Sequence, residues 1–330
     1  MIIRRKLLGC ILGVAVLGLG LPAFAQEQTL KFASATLNDV QHQYQVMFKD
    51  KVSKELPDVA VQLYPASQLG PIPRMVEGVM FGTIESFITA TAFLSQVDPR
   101  FQTFDVASIF KDPLKTRQLL SSDAFRVRAQ SYGDSRNIQP ISTFVHSPNS
   151  IISKKPIRSL QDLNGLKVRV LGTPFQIEPM KALGATPVPM PLSEVMPALQ
   201  TGAIDAVIAA PTVAAAFRYY DAAPYMAMVD SWPLIVTVAT SSNWLNGLPD
   251  ETRDRLQTIA RDVESEAVQW GLNDVQRAAD AWTENGGTLT PLSPEVEKSL
   301  QETIASSTAG LIENNAVLAA EVDALNGLLQ

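Results

Sequence analysis

Short alternating segments and longer helical segments follow one another along most of this chain. Residues 29–34 and 59–64 alternate apolar and polar positions as strands do, and residues 41–54 between them repeat apolar positions at helical spacing. A helix over 73–81 and a strand over 85–89 continue the order. Strands separated by helices are typical of βαβ units, so the pattern predicts an α/β fold built on parallel sheets.

The middle of the chain repeats this organisation with shorter elements. The predicted strands are 138–145, 166–171, 186–189, 203–209 and 234–240, and the predicted helices are 175–183 and a helix capped by Ser193 and ended by Gly202. The same α/β order on both sides of the midpoint, in a chain of 330 residues, favours two domains.

A much longer helical pattern follows the last predicted strand. Apolar residues recur from Leu256 to Trp282, which predicts a helix over 250–284 that Asn285 and the two glycines after it end. At 1.5 Å per residue such a helix is about 50 Å long, more than one small domain needs, so we expect it to lie across two domains. A final helix is predicted to begin at Ser293 and to continue to the C-terminus with a bend near Gly310.

The N-terminus has the three parts of a secretory signal peptide. A basic start (MIIRRK) precedes an apolar run over residues 7–21, and the small-x-small ending closes at Ala25. A spanning helix needs roughly twenty apolar residues, so this run is short for one. We predict cleavage after Ala25 and a mature protein in the periplasm.

Charge and cysteine content narrow the function classes. Removing residues 1–25 takes away three of the 27 Lys and Arg and none of the 33 Asp and Glu, which leaves a net charge of −9. Such an acidic chain argues against nucleic-acid partners and anionic membrane surfaces. The one cysteine, Cys10, lies in the predicted signal peptide, so the mature protein has no disulfide, thiolate nucleophile or cysteine metal site.

Four segments in the middle of the chain occur together in an informative order. They are residues 153–157 (SKKPI), 162–170 (DLNGLKVRV), 181–187 (KALGATP) and 198–205 (ALQTGAID). This series resembles the core signature of DctP-type solute-binding proteins, the receptors of tripartite ATP-independent periplasmic (TRAP) transporters.

The resemblance implies a two-domain periplasmic binding protein fold, in which crossing strands and a long bridging helix join two α/β domains around a ligand cleft. On this basis we assign residues 26–145 and 235–280 to domain I and residues 146–234 and 281–330 to domain II. Members of the family bind a small organic acid by cleft closure and deliver it to a permease made of a small and a large membrane subunit. We therefore expect a monomeric receptor, not an enzyme.

Arg169, in the motif Leu-Lys-Val-Arg-Val, matches the family's carboxylate-binding arginine. A guanidinium offers two parallel N–H donors that fit the two oxygens of a carboxylate, and exclusion of water strengthens the pair. Without the resemblance, the residues alone favour Arg169 and Lys167 as the solvent face of a strand whose Val168 and Val170 point inward.

The surroundings of Arg169 depart from those of the sialic-acid and C4-dicarboxylate members. Where these tend to carry a second arginine, this chain has Asn149 followed by Ser150. Residues 206–210, which include Ala209, are apolar where many members have polar side chains. Because a second carboxylate beside an apolar wall is costly to bury, we favour a monocarboxylate ligand.

Further candidates follow from their places at strand ends and beside the signature. Ligands of open α/β sheets bind at the carboxyl ends of strands, and Trp and Phe side chains can cover an apolar ligand. The candidates are Ser34, Thr36, Thr89 and Thr91 from domain I and His146, Phe175 and Trp232 from domain II. For the two aromatic residues, a place in the hydrophobic core is the alternative.

Other function classes find little support in the sequence. It has no Gly-x-Ser-x-Gly elbow, no phosphate loop and two histidines, so a hydrolase or lyase would depend on an isolated carboxylate base. No cofactor and no protein-held metal site are predicted, although a calcium or sodium ion bridging the acid stays open. An ABC-type binding protein, and a receptor whose liganded form is read by a sensor protein, are the binding alternatives.

Overall fold

A mixed sheet of nine strands organises the computed structural model, which describes residues 28–107 and 109–329. The strands are β1 (Gln28–Ser34), β2 (Val59–Tyr64), β3 (Ser86–Ala90), β4 (Ile138–Ser153), β5 (Lys167–Val170), β6 (Thr186–Pro189), β7 (Ala206–Ala209), β8 (Tyr225–Ser241) and β9 (Thr288–Leu289). Their order is β2-β1-β3-β8-β4-β7-β5-β6, and β9 pairs with β8. The predicted signal peptide and Cys10 lie outside the described residues.

Two long antiparallel strands, β4 and β8, form the middle of this sheet and connect its halves. The parallel strands β2, β1 and β3 join the C-terminal part of β8, whereas the parallel strands β7, β5 and β6 join the C-terminal part of β4. The β4–β8 register shifts between Val145 and Ser147 and again between Pro148 and Asn149. Such bulges bend strands, so the chain changes direction where it passes from one half to the other.

Helices cover the sheet, and their bounds follow the apolar periodicity closely. They are α1 (Val40–Glu55), α2 (Ile72–Met80), α3 (Pro113–Ser121), α4 (Asp123–Ala129), α5 (Pro174–Ala182), α6 (Leu192–Thr201), α7 (Pro211–Ala216), α8 (Ser242–Asn246), α9 (Asp250–Glu284), α10 (Pro294–Glu313) and α11 (Ala316–Leu328). The long helix α9 is confirmed, and it packs on α1, β4 and α7. In the described part of the chain, no helix has the length and apolarity of a membrane span.

Two helix boundaries differ from the predictions. Ser193 is not the N-cap of α6, because the helix already begins at Leu192 after Pro191, whose fixed backbone angle suits a helix entry. The C-terminal helix is not continuous to the C-terminus: α10 ends at Glu313, and Asn315 accepts a hydrogen bond from the Leu318 amide as the N-cap of α11. Asparagine is a favoured cap, so this Asn-Asn pair separates two helices.

The last helix packs against the segment between β3 and β4. Glu321 on α11 is buried and accepts hydrogen bonds from Arg128 and Tyr132, and α11 also packs on the 3₁₀ helix Pro99–Asp105. Our sequence assignment put residues 281–330 in domain II, whereas this helix lies against residues assigned to domain I. The contacts of α10 with α5 and β8 are on the domain II side.

A buried carboxyl links the two halves of the sheet near the start of α5. Asp105 accepts hydrogen bonds from Thr173 Oγ1 at 2.7 Å and from Gln176 Nε2 at 3.4 Å. Burial raises the pKa of Asp105 from 3.8 to about 6. A raised folded-state pKa favours the folded protein below the unfolded value, and this contribution is lost as the pH rises through 6.

We therefore expect Asp105→Asn to flatten the pH dependence of stability. Between pH 4 and 7 the wild type should lose roughly 2 kcal/mol of unfolding free energy through this group, a loss that the neutral amide avoids. Urea denaturation of both proteins across this pH range measures the difference. Parallel profiles for the two proteins would contradict the assignment.

Candidate ligand-binding site

A cavity of about 40 Å³ lies between the two halves of the sheet. Its polar lining residues are Thr36, Gln41, Thr89, Asn149 and Arg169, and its apolar ones are Ala35, Ile72, Ala90, Phe93, Leu171, Leu192, Ile208, Ala209, Ala210, Val213 and Leu234. The lining combines the ends of β1 and β3 with β5, β7 and the beginnings of α6 and α7. Elements that are distant in sequence therefore meet here, at carboxyl ends of parallel strands.

Arg169 lies on β5, between Val188 of β6 and Val207 of β7. Its side chain is 1% exposed, so this face of the strand is not the solvent face that the alternative interpretation required. The guanidinium donates from Nε to the Met190 carbonyl at 3.1 Å and from Nη1 to the Ile208 carbonyl at 3.2 Å. Two backbone acceptors thus fix the plane of the side chain.

The remaining nitrogen of this guanidinium is the most informative atom of the site. Among the described residues, Nη2 of Arg169 has no hydrogen-bond partner although it is buried. Desolvation lowers the pKa of Arg169 to about 10, which still leaves it charged at neutral pH. Among the described residues lining the cavity, none is acidic. A buried cation with a free donor in such a cavity can bind an anion.

Asn149 provides a second polar group in the cavity. It is 2% exposed, and its Oδ1 atom has no hydrogen-bond partner among the described residues. Thr89 and Ala209, from opposite halves of the sheet, line the same cavity. The structure thus brings together Arg169, Asn149, Thr89, Ala209 and the Thr36 hydroxyl, all candidates from the sequence.

Three other hydroxyl candidates do not line this cavity. Ser150 Oγ donates to the Ala209 carbonyl at 2.7 Å, across the β4–β7 pair. The Thr91 hydroxyl is 2.9 Å from that of Thr237 on β8, and Ser34 Oγ is 3.1 Å from the Thr36 hydroxyl. Ser150 and Thr91 thus bond to the strands β7 and β8. Ser34 contacts Thr36 in the loop after β1, and Thr36 does line the cavity.

The aromatic candidates and His146 also lie outside the cavity lining. Phe175 is fully buried in the main core, and Trp232 is 2% exposed in the core formed around Ile157, Leu163 and Val229. Trp232 is one of three consecutive β8 residues without a partner on β4, at the bulge where the register shifts between Pro148 and Asn149. His146 is buried behind the site, where its Nε2 atom lies 3.0 Å from Oδ2 of Asp39.

Most of the remaining lining residues carry no chemical signal in the sequence. Ile72, Leu192 and Val213 come from the starts of three helices, and Phe93 comes from the 3₁₀ turn after β3. Apolar residues at these places are as typical of a core as of a pocket. Gln41, near the start of α1, was the one polar residue missed, and its position just after the end of β1 could have revealed it.

Tyr219 lies near Arg169 outside the lining and was not predicted either. Its hydroxyl is buried without a hydrogen-bond partner in the described ranges, and burial raises the pKa of the phenol. The positive charge of Arg169 acts in the opposite direction and lowers this pKa.

Residues 28–107 and 109–329 contain no group of three or more His, Cys, Asp or Glu side chains placed to hold a metal ion.

Comparison with known proteins identifies the family. Residues 32–314 match the model of the bacterial extracellular solute-binding proteins, family 7 (DctP). The chain belongs to this family. The resemblance read from the four sequence segments is thereby confirmed, and members of the family are periplasmic solute receptors.

Individual relatives and a solved structure agree with this membership. A solute-binding protein of Roseobacter denitrificans is 33% identical over 186 residues, 56% of this chain and 57% of the relative. The 2,3-diketo-L-gulonate-binding periplasmic protein YiaO of Escherichia coli is 25% identical over 81% of this chain and 83% of its own. A TRAP periplasmic solute-binding protein from Desulfovibrio salexigens, solved with bound orotic acid, superposes with a TM-score of 0.86 at 22% identity, covering 91% of this chain and 98% of its own. The predicted α/β periplasmic binding protein fold is confirmed.

Proposed function

We propose that this chain is an extracytoplasmic receptor that binds a small monocarboxylate between its two domains and delivers it to a TRAP-type permease. The observation that supports the proposal most is the buried guanidinium of Arg169, whose Nη2 atom has no partner in the described structure. A carboxylate placed against Nη2 would satisfy this donor and compensate the buried charge. The energy of desolvating Arg169 is then recovered when the ligand binds.

The preference for one carboxylate rests on the charge and polarity of the cavity wall. Within the described lining, Arg169 is the one charged residue, and Asn149 offers an amide without charge. Ile208, Ala209 and Ala210 face the rest of the ligand, so a second carboxylate would be buried without a cation.

The proposal extends to the handling of the ligand. Domain I, in this view, comprises residues 26–145 and 235–280 together with α11, and domain II comprises 146–234 and α10. The domains close over the acid by bending at the β4–β8 bulges, and the closed form docks on the small and large membrane subunits. Residues 1–25 direct the chain to the periplasm, and the protein binds its acid as a monomer without converting it.

A thermal-shift screen of organic acids against the mature chain tests the proposed ligand class. A monocarboxylate at a hundred times its dissociation constant should add about 2.7 kcal/mol to the unfolding free energy, which is readily measured as a rise in Tm. Matched diacids, such as succinate beside butyrate, should give smaller shifts. Larger shifts with diacids would reject the single-carboxylate preference, and no shift with any acid would reject the receptor for organic acids.

A further inference from the structure

A buried carboxylate stands directly behind the domain I wall of the cavity. Asp39, the N-cap of α1, is completely buried and accepts four hydrogen bonds. Its Oδ1 accepts from Thr36 Oγ1 at 2.8 Å and from the His42 amide at 3.1 Å. Its Oδ2 accepts from Gln41 Nε2 at 3.3 Å and lies 3.0 Å from Nε2 of His146. Two of these donors, Thr36 and Gln41, line the cavity.

Proton accounting shows which atoms Thr36 and Gln41 can offer to a ligand. Thr36 Oγ1 donates its single hydroxyl proton to Asp39, so in its 3.1 Å contact with Ser34 Oγ it is the acceptor, and one lone pair of the Thr36 oxygen is left. The amide nitrogen of Gln41 uses one of its two N–H groups on the same carboxylate, which leaves one amide hydrogen and the carbonyl Oε1 for other partners. The domain I wall therefore offers two acceptors, the oxygens of Thr36 and Gln41, beside two donors, the Thr89 hydroxyl and the second amide hydrogen of Gln41, while Arg169 on the opposite wall offers donors only.

We propose that Asp39 determines ligand specificity without touching the ligand, by holding Thr36 and Gln41 as acceptors for a hydroxyl or amino group on the acid. The inference rests on the proposed function, because it takes Arg169 as the anchor of the carboxylate. It narrows the ligand to a monocarboxylate with a hydrogen-bond donor elsewhere on its carbon chain. An oxo acid of the same shape presents only an acceptor, so the oxygens of Thr36 and Gln41 are left without a donor when it binds.

A matched panel of four-carbon and six-carbon acids tests this specificity by titration calorimetry. For each chain length it contains the unsubstituted acid and its hydroxy, amino and oxo derivatives at each position, so that the donor is moved along the chain. At one position the hydroxy or amino acid should bind at least about tenfold tighter than the unsubstituted and oxo acids. Equal affinities of the donor-bearing (hydroxy or amino), unsubstituted and oxo acids at every position, or binding by none of them, would overturn the proposal.

Asp39→Asn is the variant that separates this role from a structural one. Asparagine is as good an N-cap as aspartate, and its oxygen can keep the His42 and Thr36 bonds. The new amide nitrogen at position 39 is a donor facing Gln41. The Gln41 side chain should therefore turn its Oε1 toward position 39 and its Nε2 toward the cavity. The preference for hydroxy over oxo acids should fall at least about tenfold. An unchanged preference in the folded variant would overturn the proposal.

A second variant covers the case in which Asp39→Asn does not fold. Gln41→Met keeps the length of the side chain but removes the acceptor, and it should reduce the same preference of hydroxy over oxo acids. An unchanged preference would also overturn the proposal. Arg169→Ala distinguishes the two levels of inference. If Arg169→Ala binds these acids normally, the proposed function fails; if it loses them all while wild type treats hydroxy and oxo acids alike, only the role of Asp39 fails.

Discussion

Replacing Arg169 with alanine should weaken binding of the best acid from the thermal-shift screen by about two to three orders of magnitude. The ligand carboxylate would enter a cavity lined, among the described residues, by no other cation, and its desolvation would remain uncompensated. Isothermal titration calorimetry of the wild type and the variant measures the loss directly. The size of the effect follows from burial, because a surface ion pair contributes only about 1 kcal/mol or less.

Two variants act as controls for this prediction. Arg169→Lys keeps the charge but loses the planar pair of donors, so its affinity should fall between those of wild type and Arg169→Ala. Lys167→Ala removes an exposed cation two residues earlier on β5 and should leave the affinity unchanged. Normal affinity in folded Arg169→Ala would show that the acid binds elsewhere. An equal loss of affinity in Lys167→Ala would show that the acid is attracted only by the long-range electrostatic potential of the protein.

A ligand-binding role also has a signature in the unliganded protein. Desolvation of the Arg169 guanidinium, seen in the lowered pKa, is unfavourable to folding while no anion is bound. An apolar replacement of similar length, Arg169→Met, should therefore unfold no more readily than the wild type without ligand, and only the stabilisation by acid should disappear. An arginine that served the fold would show the reverse, with a large loss of stability in the absence of acid.

The elements with the strongest periodicity were predictable, and the reason is physical. The helix α9 repeats apolar residues over 35 positions, and one face of it must be buried along the whole length. The strands β4 and β8 were predicted too short, as 138–145 and 234–240. Their bulges interrupt the two-residue alternation, and alternation is the signal by which a half-buried strand is detected.

The polar residues at family positions of the site could be predicted from the sequence. Residues whose place depends on the register between strands could be predicted much less well. Arg169 and Asn149 were found because they match the positions of the family's carboxylate-binding arginine and of its second arginine; the residues alone left the solvent face of a strand as the alternative for Arg169. Ser150 could have been excluded beforehand, since adjacent residues of a strand point to opposite faces and Asn149 already takes the cavity side. Trp232 lies in a β8 bulge, whose position depends on pairing with β4 and leaves no local pattern in the sequence.

The anchoring of α9 in the second half of the protein leads to the largest stability effect that we expect. Trp282, near the end of this helix, is fully buried, and its Nε1 donates to the Pro224 carbonyl at 3.0 Å. Its ring meets Tyr220 edge to face with centroids 5.5 Å apart. The backbone of Gly287 packs so closely on the indole that a Cβ there would lie 2.3 Å from it. The indole therefore fixes the start of β8, the end of α9 and the turn after it.

Trp282→Ala should accordingly lower the unfolding free energy by about 3–5 kcal/mol, because it leaves a large cavity and removes one of the two hydrogen bonds to the Pro224 carbonyl, which keeps the one from the Thr288 amide. Urea denaturation monitored by circular dichroism measures the loss. Trp270→Ala is the matched control, since this indole lies half-buried on the same helix under the Arg277 guanidinium and should cost much less. Equal losses for both variants would mean that α9 is stabilised evenly along its length. A loss concentrated at Trp282 would identify the end of α9 as the point where the helix that joins the two halves is secured.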